Sequence, residues 1–291
     1  MHNNKIILGT AQFGLNYGVN NQSGIPSSYE IKKILDFAFK SKINILDTAE
    51  AYGNSQERIG EYQKKSNNKF KIITKYSKLR NDLPSNIIDR VKNNLEILNI
   101  DNLYCYMFHN FNDYIFFFNL FREDLLHLKR NGLIDKIGVS LHSNKEITEV
   151  LKNHTIDLIQ LPFNLLDNSH QRKEILIKAK VRGIEVHTRS VFLQGLFFKD
   201  SNEIKDELFE IKEGLNTIKS LVKKEEMNDL ALNYAYSKDY IDRVLLGVDS
   251  VEQLKSNINT INNSKTNSFN HEVDNIVVKN NLLLNPANWN S

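Results

Sequence analysis

The sequence predicts an α/β chain closed into a single (β/α)8 barrel, the TIM-barrel architecture. Three observations predict it. Short runs dense in Ile, Leu and Val alternate eight times with longer segments of helical period. Those apolar runs are nearly continuous, as strands covered on both faces require. Eight strand–helix units fit within 291 residues, which suits a closed barrel better than an open sheet.

In chain order the strand candidates are KIILGT, INILDT, FKIITK, LYCYMFH, KIGVS, IDLIQL, IEVHTRS and RVLLG. The amphipathic segments between and after them cover 29–42, 55–65, 84–98, 114–130, 145–151, 169–181, 213–236 in two pieces, and 250–261. Asp82-Leu-Pro84 reads as a helix start, and Ser250 followed by Gln253 has the spacing of a capping box. Gly132 and Gly183 follow basic helix ends and suit left-handed C-terminal caps. The stretch 192–206, after the seventh strand, reads as a long irregular loop of the kind that forms lids or substrate walls. No Pro/Gly/Ser-rich linker divides the chain, so 1–291 is expected to be one domain. Its Asn-rich tail, about 264–291, is expected to pack near the barrel mouth, pinned by Leu282 to Leu284 and Trp289.

Composition narrows the function classes. Thirty-eight basic residues face 35 acidic ones, a formal charge of +3 with no concentrated field, which argues against nucleic acid or an anionic membrane as partner. The one cysteine, Cys105, lies in an apolar strand and reads as a buried structural thiol, with no disulfide framework. No signal-like segment and no 18-residue apolar stretch is present, so a soluble, cytoplasmic protein is expected. The histidines at 2, 142, 154, 170 and 187 have no metal-ligand spacing. No metal is expected, which counts against a metal-dependent barrel hydrolase or lyase.

Four residues fall at or just beyond strand ends: Asp47 after INIL, Tyr52 five positions on, Lys75 closing KIIT, and His109 closing LYCYMF. In a parallel barrel such ends converge on one mouth. Tyrosine, with a pKa near 10, is a weak acid suited to the alkoxide that develops as a carbonyl is reduced. An ammonium beside a phenol favours the phenolate and lowers its pKa. Lys75 fits that place, Asp47 would keep it charged, and His109 could hydrogen-bond the substrate oxygen. Nothing in the constellation supplies electrons, so a cofactor is implied. Singly, each residue has an ordinary reading as turn cap, loop anchor, solvated cation or edge histidine; their shared placement decides for the site.

These motifs resemble the aldo-keto reductases. LGTAQFG is similar to the family's first-strand glycine motif, DTAEAYG to its Asp-and-Tyr motif, ITK to its lysine strand and YMFHN to its histidine strand. The likeness continues through GVSLHS, IQLPFNLLD, RSVFLQGL and LLGVDSVEQLKSN, covering about residues 5–261. It implies Asp47, Tyr52, Lys75 and His109 as catalytic residues, Tyr52 being the proton donor. It also implies an extended nicotinamide dinucleotide across the mouth, without a GxGxxG loop. Ser140 and Gln160 match positions that hold the carboxamide, and Ser190, Leu193 and Gly195 match the pyrophosphate loop. Gly247, Asp249, Ser250, Gln253 and Asn257 match the adenosine end.

Three departures stand out. Leu141 replaces the Asn that usually follows Ser140. Arg189 replaces the aromatic that usually stacks on the nicotinamide, and a planar guanidinium can stack while adding a charge. Asp249 stands where groups favouring a 2′-phosphate are common. The resemblance implies NADPH, and Asp249 admits NADH by offering an acceptor to a ribose hydroxyl. The substrate pocket is expected between the loops after Phe13, Tyr52, His109 and Gln194 plus the tail, with Phe13, Tyr17, Phe111 and Phe163 available. Arg189 and Arg172 hint at polar or anionic substrates. The opening LGTAQFGLNYGVNNQSG and closing NPANW resemble a bacterial branch associated with surface-polysaccharide biosynthesis, which implies a sugar or nucleotide-sugar carbonyl and carbohydrate metabolism. The competing reading is a cofactor-binding regulatory subunit of reductase type with little turnover.

Overall fold

Eight parallel strands pair in chain order, β1 (Ile6–Gly9), β2 (Ile45–Asp47), β3 (Lys71–Tyr76), β4 (Cys105–Phe108), β5 (Ile137–Ser140), β6 (Leu158–Pro162), β7 (Glu185–Arg189) and β8 (Arg243–Gly247). β8 returns to β1, with Ile6 opposite Val244 and Gly9 opposite Gly247, so the sheet closes and has no free edge. The TIM-barrel architecture expected from the sequence is the architecture of this computed structural model, which describes residues 4–17, 24–78, 85–262 and 269–289.

Alternation along each strand sorts its side chains onto two faces. Ile7, Ile45, Ile73, Cys105, Met107 and Leu158 form one apolar cluster of their own, with Tyr104 and Leu245 against it. Their strand neighbours, among them Ile6, Leu8, Leu46, Ile72, Ile159 and Val186, join the larger core that the helices cover. The smaller cluster therefore fills the barrel interior. Counting two residues on from its members reaches Gly9, Asp47, Lys75, His109, Gln160 and Gly247, the same parity one layer nearer the C-terminal mouth. At the opposite end Glu185 accepts from Tyr104 Oη at 2.8 and 2.9 Å, pairs with Lys136, and lies 2.7 Å from His187 Nε2. The barrel axis thus runs from a charged floor through an apolar plug to a polar mouth.

Helices α1 (Ser28–Lys40), α2 (Ser55–Lys65), α3 (Ile87–Leu98), α4 (Phe111–Arg130), α5 (Asn144–Val150) and α6 (Ser169–Val181) follow the first six strands. An extra helix, α7 (Phe209–Leu221), precedes α8 (Met227–Tyr236), and α9 (Val251–Asn262) follows β8. The expected starts move where a cap decides. α4 begins three residues early because Asn110 Oδ1 accepts from the Asp113 amide at 2.8 Å. α3 begins at Ile87, capped by Asn86; the start expected at 82–84 lies outside the described residues. Gly132 and Gly183 do hold left-handed φ, 73° and 75°. The stretch expected to be irregular after β7 carries short 3-10 turns at Ser201–Glu203 and Asp206–Leu208 and within Leu193–Phe198, the last kinked by left-handed Gln194 and Gly195. Leu196, Phe197 and Ile204 bury beneath them.

The described tail contains α10 (Asn270–Asp274). Asn168, capping α6, donates to the carbonyls of Val273 and Ile276 at 2.7 and 2.9 Å. Glu210 on α7 accepts the amides of Lys279 and Asn280. These contacts hold the tail against α6 and α7. Among the described residues no helix is long and apolar enough to cross a membrane, and no metal-binding cluster of His, Cys, Asp or Glu occurs.

Candidate active site

Asp47 closes β2 and Lys75 lies one residue before the end of β3, so adjacent strands bring them together across 28 positions of sequence. The Lys75 ammonium pairs with Asp47 Oδ1 and donates to the Thr48 carbonyl at 2.9 Å; both side chains are almost fully buried. The second Asp47 oxygen accepts from Gln160 Nε2 at 2.8 Å. Burial pulls the Lys75 pKa down, but Asp47 and Tyr52 outweigh it and the net shift is upward. The lysine stays an ammonium.

Tyr52 leaves the loop after β2 and lays its ring 5.1 Å from Lys75 Nζ, measured to the centroid. The His109 ring meets it edge-on at 5.5 Å. Burial raises the Tyr52 pKa above 10 and outweighs Lys75, which acts in the lowering direction expected from the sequence. That expected net lowering is therefore corrected: desolvation wins, and the phenol holds its proton at neutral pH. Burial, then the charges of Lys75 and Arg189, take His109 down to about 3. His109 is an uncharged ring at neutral pH, able to orient an oxygen but holding no spare proton.

Two features that sequence reasoning passed over fix the Tyr52 loop. Glu50 is fully buried and accepts from Arg90 Nε and Nη2 at 3.0 and 2.6 Å, Asn94 at 2.8 Å, Tyr106 Oη at 2.8 Å and the Ser77 amide at 2.9 Å. One carboxylate inside the DTAEAYG motif thus ties the loop to α3, β4 and the end of β3. The second feature is a backbone contact. A Cβ on Gly14 would sit 1.9 Å from the Tyr52 carbonyl, and one on Gly53, whose φ is +55°, would sit 2.3 Å from the Gly14 carbonyl. Only two glycines permit that approach. Their presence in LGTAQFG and DTAEAYG was the signal, but which glycine meets which is invisible in one dimension.

A cavity of about 410 Å³ opens over this cluster. Asp47, Tyr52, Gln160, Arg189, Ser190, Gly195, Gly247, Asp249, Gln253 and Asn257 line it. Ser140, Leu193 and Ser250 do not. Ser140 is buried at the end of β5 in register with Gln160, Leu193 is fully buried, and Ser250 caps α9 by accepting the Gln253 amide at 3.2 Å. Lys75 lies beneath Asp47 and Tyr52, and neither it nor His109 forms part of the wall. Tyr17 and Gln194 meet across the opening at 3.3 Å.

Some expected pocket residues are elsewhere. Phe13 and Phe163 are fully buried, Phe163 stacking on Tyr234 at 5.5 Å, and Phe111 packs on Tyr114. Burying so large an apolar area outweighs any place at a wet wall. Arg172 is bound by both Asp167 oxygens at 2.6 and 2.7 Å, by Asn144 and by the His142 carbonyl. That arginine is a structural clamp and not a substrate contact. Among the described tail residues, none lines the cavity.

The loop after β7 holds Ser190, Leu193 and Gln194 at φ of 60°, 45° and 56°, followed by Gly195 at 92°. Side chains at left-handed φ cost about 1–3 kcal/mol each and concentrate at ligand sites. Asp249 Oδ1 is shielded from solvent with no hydrogen-bond partner among the described residues. Its amide donates to Gln253 Oε1 at 2.8 Å. A shielded acceptor without a partner carries a desolvation cost until a donor reaches it.

An eight-stranded barrel with Asp, Tyr, Lys and His gathered at one mouth defines a class. The sequence profile of the Aldo/keto reductase family matches residues 5–278, and the chain belongs to that family of oxidoreductases. A curated relative, described as the uncharacterized oxidoreductase YqkF of Bacillus subtilis, is 25% identical over 257 residues, spanning 79% of this chain and 81% of its own. In three dimensions the chain is similar to the aldo-keto reductase AKR11C1 of Bacillus halodurans. Its holo form matches with TM-score 0.72 and 20% identity over 93% of this chain and 90% of that one. The apo form matches with TM-score 0.66 and 23% identity over 85% and 86%.

Proposed function

We propose that this protein reduces an aldehyde or ketone to an alcohol, using a nicotinamide dinucleotide as reductant and Tyr52 as proton donor. The observation that carries the proposal is the buried Asp47–Lys75 pair set under a protonated Tyr52 at the base of an open cavity. Lys75, held as an ammonium by Asp47, steadies the phenolate that forms when Tyr52 gives up its proton. His109, neutral, orients the carbonyl oxygen towards the phenol. Gln160 secures the second oxygen of Asp47, and Glu50 and the Gly14–Gly53 contact hold the loop that carries Tyr52.

The residues around the cavity fit a dinucleotide. The unpartnered, shielded Asp249 oxygen suits a ribose hydroxyl, and Ser190, Gly195, Gly247, Gln253 and Asn257 offer a small, polar surface. When bound, the dinucleotide supplies the hydride. Ser140, Leu193 and Ser250 would act behind that surface, as supports. NADPH is the reductant the family resemblance favours, while the Asp249 carboxylate opposes a 2′-phosphate and supports NADH. Sugar or nucleotide-sugar carbonyls are the first substrates to try, following the likeness to reductases of surface-polysaccharide biosynthesis.

Fluorescence titration with NADPH and NADH, followed by a panel of aldehydes and sugars, tests the reading. Binding of either dinucleotide with turnover that Tyr52→Phe abolishes supports it. Tight binding without turnover of any carbonyl would replace it with the regulatory-subunit reading.

A further inference from the structure

The cavity contains one positive charge that the chemistry above leaves unused. Arg189 ends β7, lines the cavity wall beside Tyr52 and Gln160, and is half-buried. Among the described residues its hydrogen-bond partners are weak or neutral: Ser190 Oγ and the Leu141 carbonyl at 3.4 Å, and the His142 ring at 2.9 Å. Burial, then Arg189 and Arg172, take the His142 pKa to about 4, so that ring is uncharged at neutral pH. The other arginines withdrawn from solvent behave differently. Arg90 is clasped by Glu50 and Arg172 by Asp167. The carboxylates whose charges reach Arg189, Asp167 and Asp47, are committed to Arg172 and Lys75. Among the described residues Arg189 has no ion pair, although desolvating a guanidinium is costly unless an anion compensates it. A planar, five-donor fork pointing at a cavity is the usual receptor for a carboxylate or phosphate.

We infer that Arg189 binds an oxyanion carried by the substrate, so that the preferred carbonyl compounds are small oxo-acids or phosphorylated aldehydes. The inference rests on the reductase reading and names the substrate class for the same site. Reduction consumes one hydride from the dinucleotide and one proton from Tyr52, turning C=O into CH–OH, and leaves the oxyanion unchanged. A sugar substrate would accordingly be a uronate or a sugar phosphate.

Matched pairs test it: succinic semialdehyde against butyraldehyde for carboxylate, and glyceraldehyde 3-phosphate against glyceraldehyde for phosphate. The expected kcat/KM ratio within at least one pair favours the anion about tenfold or more, the value of a charge-assisted hydrogen bond. Arg189→Gln should bring that ratio near one, and Arg189→Lys should keep part of it. Which pair shows the preference identifies the oxyanion. Equal treatment of both pairs by the wild-type protein overturns the inference. So does an Arg189→Gln variant that loses dinucleotide affinity while keeping the ratio, because the guanidinium would then serve the cofactor.

Should no aldehyde turn over, the reductase reading fails and calorimetry decides the inference separately. Binding of oxamate but not acetamide, or of glycerol 3-phosphate but not glycerol, supports it when Arg189→Gln abolishes the binding. Absence of anion binding by the wild-type protein overturns it.

Discussion

Glu50→Gln offers the sharpest test of how the site is held. The Glu50 carboxylate receives five hydrogen-bond donations, two of them from Arg90, and neither side chain reaches solvent to any extent. An amide at that position keeps the volume but removes the charge, and whichever oxygen its NH2 replaces, either Arg90 and Ser77 or Asn94 and Tyr106 lose their acceptor. Breaking one partner of a buried ion pair costs about 3–5 kcal/mol. At roughly 2 °C of melting temperature per kcal/mol in a chain of this size, Tm should fall by about 6–10 °C. Differential scanning calorimetry reads it directly. Pairing Glu50→Gln with Arg90→Met removes the orphaned charge too and should recover at least half of the loss, which a double-mutant cycle would report as strong coupling. Because the same carboxylate anchors the Tyr52 loop, kcat should drop in the single variant even well below its Tm. A Tm change under 2 °C would refute the reasoning, showing that the clamp contributes far less than its geometry implies.

The remaining expectations concern the chemistry. Tyr52→Phe should lower kcat by about 10²–10⁴-fold and leave the dinucleotide Kd within a factor of two; turnover near wild type would remove Tyr52 as proton donor. Since His109 sits near 3 and Tyr52 above 10, kcat for reduction should stay flat between pH 6 and 8. A break near 6.5 that disappears in His109→Gln would contradict this. Stability carries the opposite signature. Unfolded His109 and His142 take up protons below about 6.5, whereas their folded forms resist until about 3 and about 4. The unfolded state therefore binds more protons in that window, and stability should fall as pH drops from 6.5 towards 4. Urea midpoints measured across that range should slope less steeply in a His109→Gln, His142→Gln double variant. Asp249→Ser should raise the NADPH/NADH affinity ratio several-fold in fluorescence titrations, and an unchanged ratio would dissociate Asp249 from cofactor choice. Gly14→Ala should lower kcat more than it lowers Tm, because the added methyl collides with the Tyr52 carbonyl.

The barrel and the mouth were readable in one dimension for a common physical reason. A residue two places past an inner apolar side chain lies on the same face, so Asp47 after Ile45, Lys75 after Ile73 and His109 after Met107 announce themselves by parity. What parity does not reveal is pairing. Gln160 reaches Asp47 across 113 residues, and its amide secures the ion pair in a way the strand IDLIQL alone could not suggest. Arg172 and Arg189 both hinted at polar or anionic substrates, yet one is saturated by Asp167 and the other lines the cavity. Phe13 and Phe163 were indistinguishable from wall residues until the core claimed them. The stretch after β7 lacks apolar periodicity because its short turns, interrupted by left-handed Gln194 and Gly195, bury Leu193, Leu196, Phe197 and Ile204 at irregular spacing.

The apolar plug also bears on how protons would reach the proposed reaction. Beneath Asp47 and Lys75 the axis is occupied by Ile7, Ile45, Ile73, Met107, Leu158 and Cys105. Burial pushes the Cys105 thiol well above its ordinary pKa, so it neither gives nor takes a proton near neutrality. No relay of titratable side chains therefore links Tyr52 to the Glu185–His187–Lys136 floor among the described residues. On the proposed reading, each proton that Tyr52 gives up returns through the open mouth, by way of solvent or ligand hydroxyls. The rate of reprotonation is thus set by what fills the cavity, and a bound ligand that seals it would also govern when the next cycle can begin.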